Sequence, residues 1–304
     1  MRIFVTGATG YIGGSVAQHL LEKGHRVVGL TRTKDGAAAL RKRGIEPLLG
    51  ALSDAEALSE GVEQTEAVIN TAEANDRHAV EAMLPVLEGT DKPFIHTSGS
   101  GIVGDLAAGE PSARTFDEDT PFTPVPMMQG RFSIDRMVLD AASMQIRTVV
   151  IRPSLIYGQG LGMRRDSFQI PSLIVQAKES RVPRYVGRGL NVWSHVYLED
   201  LADLYVLALE RAPAGALYYA EHGEDAMKTA VESIARMLGL QGACEGLSIE
   251  QAVNTWGPRA HIALGSNSRV RADKARRELG WQPRGPTLLH DIEHGSYREI
   301  HRTN

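Results

Sequence analysis

Residues 3–13 read Ile-Phe-Val-Thr-Gly-Ala-Thr-Gly-Tyr-Ile-Gly, an apolar run that breaks into three glycines spaced three apart. The run suits a buried strand over 3–6, and an amphipathic stretch over 12–22 predicts the helix that follows. Gly7 permits the tight turn out of the strand, Gly10 lets the backbone approach a pyrophosphate, and Gly13 lets helix and strand pack closely. The helix N-terminus then turns amide N–H groups and a partial positive charge towards the phosphates. With 31 glycines in 304 residues the spacing alone would be weak. Its place between strand and helix, at the head of a regular alternation, makes it a dinucleotide-binding turn.

That alternation continues. Strands are expected over 26–30, 46–49, 67–70, 93–97 and 147–152, and helices over 37–43, 54–60, 78–87 and 132–143. Strand and helix taken in turn predict an α/β fold, a doubly wound parallel sheet with helices on both faces. After Arg152 the rhythm loosens into shorter elements punctuated by Pro153, Gly158, Gly160, Gly162, Pro171, Pro183, Gly187 and Gly189. Later helices are expected over 228–238 and 273–279. The division is a dinucleotide-binding domain over 1–155 and a smaller, mainly substrate-binding lobe over 156–304, with about 190–212 returning to the first domain. The stretch 107–128 reads as a loop over the cleft, and its Asp117-Glu118-Asp119 as a solvated turn; no metal site is expected.

Lysine and arginine number 33 against 37 aspartates and glutamates, a net charge of −4, which gives no electrostatic footprint for nucleic acid or an anionic membrane. The one cysteine, Cys244, cannot form an internal disulfide and fits a reducing compartment. No apolar run approaches the ~20 residues that span a bilayer, and the start of the sequence in a strand leads us to expect no leader. A cytoplasmic protein acting on a small molecule is expected.

The tip of the second strand selects between nicotinamide cofactors. An acidic residue there would hold the 2′-hydroxyl of NAD and repel a 2′-phosphate; this chain has Thr31-Arg32-Thr33-Lys34 instead. Arg32 can pair with that phosphate, which favours NADP over NAD.

TGATGYIGG at the N-terminus, HTSGSGIVGD ending at Asp105, RPSLIYG from Arg152, VYLEDLADLYVLAL from Val196 and RRELGWQP from Arg276 together resemble the extended short-chain dehydrogenase/reductases, the epimerase/dehydratase-like proteins. The resemblance runs from Met1 to about Tyr297. It implies a Rossmann-type domain with a C-terminal substrate lobe, a bound nicotinamide cofactor and a homodimer. Carried over by position, Gly7, Ala8, Thr9, Gly10, Tyr11, Ile12 and Gly13 hold the pyrophosphate, and Ala51 and Leu52 flank the adenine. Thr71 and Ala72 end a strand beside the cofactor, and Pro153, Ser154 and Leu155 fix the nicotinamide face. Ser98 or Ser100 occupies the segment of the family's catalytic serine or threonine.

One departure bears on mechanism. The family's Tyr-x-x-x-Lys pair opens the helix before the RPxxxYG strand, and alignment on Asp135-Arg136 puts Met127 in the tyrosine slot and Arg131 in the lysine slot. A shifted frame, Phe132 with Arg136, also lacks the hydroxyl. Methionine cannot act as an acid or base. Arg131 can hold a ribose hydroxyl and lend positive charge, but it does not readily shuttle protons. Losing acid–base help costs typically ~10²–10⁴ in rate, whereas positioning a hydride donor against its acceptor, roughly 7–11 kcal/mol, survives. Replacement proton donors are sought in Tyr157, Tyr185, Tyr197, His195 and Ser100. Asn191, Arg188, His195 and Met127 are expected to touch substrate.

The expected activity is an NADP-dependent oxidoreductase with a non-standard site, reducing a small carbonyl, enone or imine-like compound; an iminium accepts hydride without a protein acid. The alternatives are a non-catalytic NADP-binding sensor, then a sugar-nucleotide epimerase or dehydratase, which normally requires the missing tyrosine.

Overall fold

The computed structural model describes residues 1–240, 242 and 244–301. Its first half alternates strand and helix: β1 (Arg2–Thr6), α1 (Tyr11–Glu22), β2 (Arg26–Thr31), α2 (Lys34–Lys42), β3 (Glu46–Leu49), α3 (Ala55–Glu63), β4 (Ala67–Asn70), α4 (Arg77–Leu87), β5 (Pro93–Thr97), α5 (Gln129–Asp140) and β6 (Arg147–Pro153). β1 shows why these runs become central strands. Ile3 and Val5 pack into one apolar layer and Phe4 into the opposite one, all fully buried. A strand covered on both faces reads as a continuous apolar run rather than an alternating one.

The second half adds β7 (Leu155–Tyr157), α6 (Gln169–Ser180), β8 (Arg184–Val186), β9 (Val192–Tyr197), α7 (Leu198–Arg211) and β10 (Ala216–Ala220). It closes with β11 (Glu224–Ala226), α8 (Met227–Met237), β12 (Glu245–Leu247), α9 (Ile249–Trp256), α10 (Ala260–Ala263), α11 (Asp273–Leu279), α12 (Leu288–His294) and α13 (Ser296–His301). The main sheet has seven parallel strands in the order β10-β6-β5-β4-β1-β2-β3. From β1 the chain winds outward through β2 and β3, then crosses to β4 and winds the other way. The reversal opens a crevice at the carboxyl ends of β1 and β4, where open parallel sheets bind ligands.

β9 pairs with β7 and β11 in a separate three-stranded sheet, and the chain rejoins the main sheet immediately after it. α7 contributes Leu201, Leu204, Tyr205 and Leu209 to the layer shared with α1 and β1, and β10 pairs with β6. α11 and Trp281 pack into the same layer. The smaller lobe has its own core, with Tyr157, Leu173, Trp193, Val231 and Ile262 among its members.

The stretch expected over the cleft behaves differently. Phe116 bridges to Val270, and Asn267 Nδ2 donates to the carbonyl of Glu110, so most of it packs along residues 267–271. Asp117 is tied to Thr120 at the surface, and the Glu118 carboxylate accepts from the Tyr219 amide. Met127 and Met128, at its end, line a cavity beside the sheet. The backbone of an irregular stretch needs partners, and the 267–271 segment supplies them.

Candidate active site

Two adjoining cavities occupy the crevice. The larger, about 1040 Å³, runs from the glycine turn (Gly7, Thr9, Gly10) to Thr31 and Arg32 at the tip of β2, to Ala51 and Leu52 after β3, and to Ala72 after β4. Gly7 sits at φ +72°, and a Cβ there would stand 2.9 Å from Ala72 Cα. At Gly13 a Cβ would come within 2.2 Å of Thr71 Oγ1 and 2.4 Å of the Gly7 carbonyl, so α1 lies directly against the turn. Thr71 Oγ1 donates to the Thr6 carbonyl at 2.7 Å and fixes the end of β4 beside that turn.

The helix caps separate α1 from its neighbours. Thr33, Asp54 and Asp76 each accept a backbone N–H at 3.0 Å at the start of α2, α3 and α4. α1 begins at Gly10 with no side-chain cap and no acidic residue in its first turn. Its leading N–H groups therefore have no side-chain partner, and they lie beside the larger cavity. Uncapped amides, a glycine cradle and an elongated cleft fit a dinucleotide.

The other predicted cofactor residues divide by role. Ala8 is buried in the core, and Tyr11 donates its hydroxyl to the Gly158 carbonyl at 2.7 Å, tying the turn to the smaller lobe. Burial pushes that phenol well above its ordinary pKa. Ile12, Pro153 and Ser154 line the second cavity, whereas Leu155 is buried in the lobe core. Asp35, Glu73, Asp76 and Met163 line the larger cavity and were not anticipated. Glu73, directly after Ala72, was within reach of the reasoning that found Thr71; Met163 comes from a loop with no periodic pattern.

The second cavity, about 510 Å³, is lined by Ser98, Ser100, Met127 and Arg131, together with Trp193, Phe168, Ile262 and Arg259. Glu73 lines both cavities and marks their junction. Arg131, in the first turn of α5, donates from Nε to Asn75 Oδ1 at 3.1 Å, and burial lowers its pKa. It remains a cation at neutral pH. Met127 is 46% exposed at the mouth. Arg136 is paired with Asp140 at the surface and Phe132 packs on Phe122, so the shifted Phe132/Arg136 frame does not reach the cavity.

Hydroxyl protons can be followed individually. Ser98 Oγ donates to Asp135 Oδ2 at 3.0 Å, and Ser154 Oγ to the Ala220 carbonyl at 2.8 Å. Ser268 Oγ donates to the Ser100 carbonyl, so in the 2.7 Å contact between the two hydroxyls Ser100 is the donor. Beneath Ser98 a buried polar row crosses the sheet. Thr6 Oγ1 donates to Asn70 Oδ1, Asn70 Nδ2 to His96 Nδ1, Arg152 Nε to Asp135 Oδ2, and Arg152 Nη1 to the Tyr219 hydroxyl. The bond from Asn70 leaves the His96 proton on Nε2, 4.0 Å from Asp135 Oδ1.

Tyr157, Tyr185, Tyr197, His195, Asn191 and Arg188 lie outside both cavities. Tyr157 is fully buried against His195 and Tyr197, its hydroxyl donating to the Pro286 carbonyl; burial drives its pKa upward. His195 Nε2 meets Asp225 at 2.9 Å, and Asn191 donates to the carbonyls of Leu264 and Ser266. Arg188 is exposed and paired with Glu110. β7 and β9 run side by side in the small sheet, which buries both Tyr157 and His195. Among the described residues no tyrosine or histidine lines the second cavity. Arg259, Phe168 and Trp193, which do, come from irregular or distant segments that no spacing rule singles out.

Residues 3–219 match the model of the NAD dependent epimerase/dehydratase family. An uncharacterized protein of Schizosaccharomyces pombe is 34% identical, over 98% of this chain and 100% of that protein. The 4-hydroxy-2-methyl-3-oxo-4-farnesyl-3,4-dihydroquinoline-1-oxide ketoreductase of Stigmatella aurantiaca is 26% identical, over 93% and 92%. Among solved structures, the dTDP-glucose 4,6-dehydratase of Bacillus anthracis in complex with NAD superimposes with a TM-score of 0.79 at 19% identity, covering 99% of this chain and 97% of that one. With its seven-stranded parallel sheet, glycine turn and full-length relatives, this chain belongs to the NAD dependent epimerase/dehydratase family, within the extended short-chain dehydrogenase/reductases.

Proposed function

We propose that the protein is an NADP-dependent oxidoreductase that reduces a small carbonyl, enone or imine-like substrate, with Arg131 in place of the family's lysine and no phenol acting as acid. The observation that carries this reading is that the two cavities share Glu73 in their walls, with Arg131 and Ser98 on the wall of the second. A reductase among the full-length relatives supports the reaction class. The glycine turn and the free amides of α1 would hold a pyrophosphate, Arg32 a 2′-phosphate, and Ala51 and Leu52 the adenine. A reduced nicotinamide supplies hydride when bound.

This chain's own residues then orient and polarise the acceptor. Arg131, fixed through Nε to Asn75, offers its remaining N–H groups and its charge to an acceptor oxygen or to the lone pair of a neutral imine nitrogen, and the proton that completes the reduction comes from water. Ser98 shares the cavity, but its proton is directed to Asp135. Delivering that proton to a substrate oxygen would first require the hydroxyl to turn from the carboxylate. Acceptors that need no strong acid are therefore favoured.

The test is cofactor oxidation over a panel of ketones, enones and cyclic imines, with NADPH and NADH in parallel. NADPH oxidation is expected, with imines and enones ahead of unactivated ketones. Arg131→Met should lower kcat by about 10²-fold, and Arg131→Lys should restore part of it. Tight NADP binding with no oxidation of cofactor on any substrate would favour the sensor reading. Preference for NADH would remove the assignment to Arg32.

A further inference from the structure

Arg259 is a cation on the wall of the second cavity that the proposed hydride chemistry leaves unused. It precedes α10, and its guanidinium lies 5.3 Å from the centroid of the Phe168 ring, which also lines the cavity. Neither Arg259 nor Arg131 belongs to an ion pair among the described residues. The charged groups on this wall are thus two guanidinium cations against one carboxylate, Glu73.

The placement of these charges matters as much as their number. Glu73 stands at the junction with the cofactor cleft, whereas Arg259 lines only the second cavity. The two arginines also sense each other: burial lowers the Arg131 pKa, the Glu73 and Asp135 carboxylates raise it, and Arg259, a smaller influence, lowers it again. An anion between them would relieve that repulsion. Trp193 spends its N–H on the Ser266 carbonyl at 2.8 Å, so it presents an apolar ring to the cavity, as Phe168 and Ile262 do. The space is of the size of small-molecule sites, roughly 300–1,000 Å³.

We propose that this cavity takes an oxo acid, its carboxylate held by Arg259 and its apolar body laid against Trp193, Phe168 and Ile262. The carbonyl or imine end then falls to Arg131. A carboxylate matches the planar fork of a single guanidinium, and the apolar rings beside Arg259 suit the body of a small organic acid. The inference rests on the second cavity being the acceptor site of the proposed oxidoreductase and gives that site a substrate class.

Binding and turnover separate the two ideas. Calorimetric titration of the NADP-saturated protein would compare 4-phenylbutanoate with 4-phenylbutanamide, matched in shape and differing in charge, and with 3-phenylpropyl phosphate. The acid is expected to bind about tenfold or more tighter than the amide. Arg259→Met should erase that difference while leaving the amide affinity unchanged, and Arg259→Lys should keep part of it. Equal affinities, no binding of either, or an acid preference that survives Arg259→Met overturns the proposal. Tighter binding of the phosphate overturns the carboxylate assignment. Acid preference without NADPH oxidation by any oxo acid would sink the oxidoreductase reading and leave the ligand class standing. Oxidation of neutral ketones without acid preference would do the reverse.

Discussion

Asp135 holds more of this site together than its place in the middle of a helix suggests. It is fully buried, with Arg152 Nε at 2.8 Å and Ser98 Oγ at 3.0 Å on the same carboxylate oxygen. Burial raises its pKa while Arg152 pulls it back down. Removing one member of a buried pair strands the other charge, at a cost of about 3–5 kcal/mol. Asp135→Asn should therefore lower unfolding free energy by about that much, read from urea denaturation. Ser98→Ala should cost only about 1 kcal/mol. Replacing both partners, Asp135→Leu with Arg152→Met, should recover part of the loss, because no unpaired charge remains. Of these residues Ser98 was singled out in the sequence, together with Ser100, since both follow a strand in a recognisable segment. Asp135 was used only to align Met127 and Arg131. Its pairing with Arg152 depends on α5 crossing β6, which no local spacing encodes.

At the scale of elements, the polar row beneath the cleft makes the ends of β1, β4 and β5 one unit. Thr6, Asn70 and His96 lie in neighbouring strands, with Thr6 opposite Asn70 and Asn70 opposite His96 in register. The strands themselves were readable, because burial on both faces demands apolar runs. The row was not, because its members are separated by 26 and 64 residues and each looked like an ordinary strand end. His96 gives the row a pH dependence. Burial, with help from the Arg131 charge, lowers its pKa from 6.5 to about 4, so it is neutral in the folded protein at pH 7. Between these values the unfolded chain binds a proton that the folded chain does not. Stability is then fully present above about pH 6.5 and falls as the pH drops towards 4, by about 3 kcal/mol in all. Melting temperature measured from pH 7 to pH 4 should show this decline, and His96→Gln should flatten it. A decline of equal size in the variant would assign the effect to the carboxylates instead.

For the whole molecule, the decisive feature is that the chain leaves the main sheet after β6 and comes back with α7 and β10. Composition and punctuation place a change of character near residue 155, and that much is readable because prolines and glycines interrupt the alternation there. What covers the sheet is harder to read, since α7 is amphipathic wherever it packs. In the structure Leu201, Leu204, Tyr205 and Leu209 lie in the layer that also buries Ile3, Val5, Ile95 and Val149, and the Tyr205 hydroxyl reaches Thr97 at 2.5 Å. Each such side chain is worth roughly 1.5–3 kcal/mol when buried. Four of them together approach the whole ~5–15 kcal/mol that keeps a domain folded. Residues 1–155, though they contain the glycine turn and six of the seven strands, should therefore not fold alone. Expressed by itself, this fragment should show no cooperative thermal transition by circular dichroism and should not bind NADP. Joining residues 198–220 to it through a flexible linker restores α7 and β10, and with them a cooperative transition at lower temperature than the full chain, because α11 and Trp281 are still missing from that layer. A cooperative melt from 1–155 alone would show that the sheet does not need its returning helix.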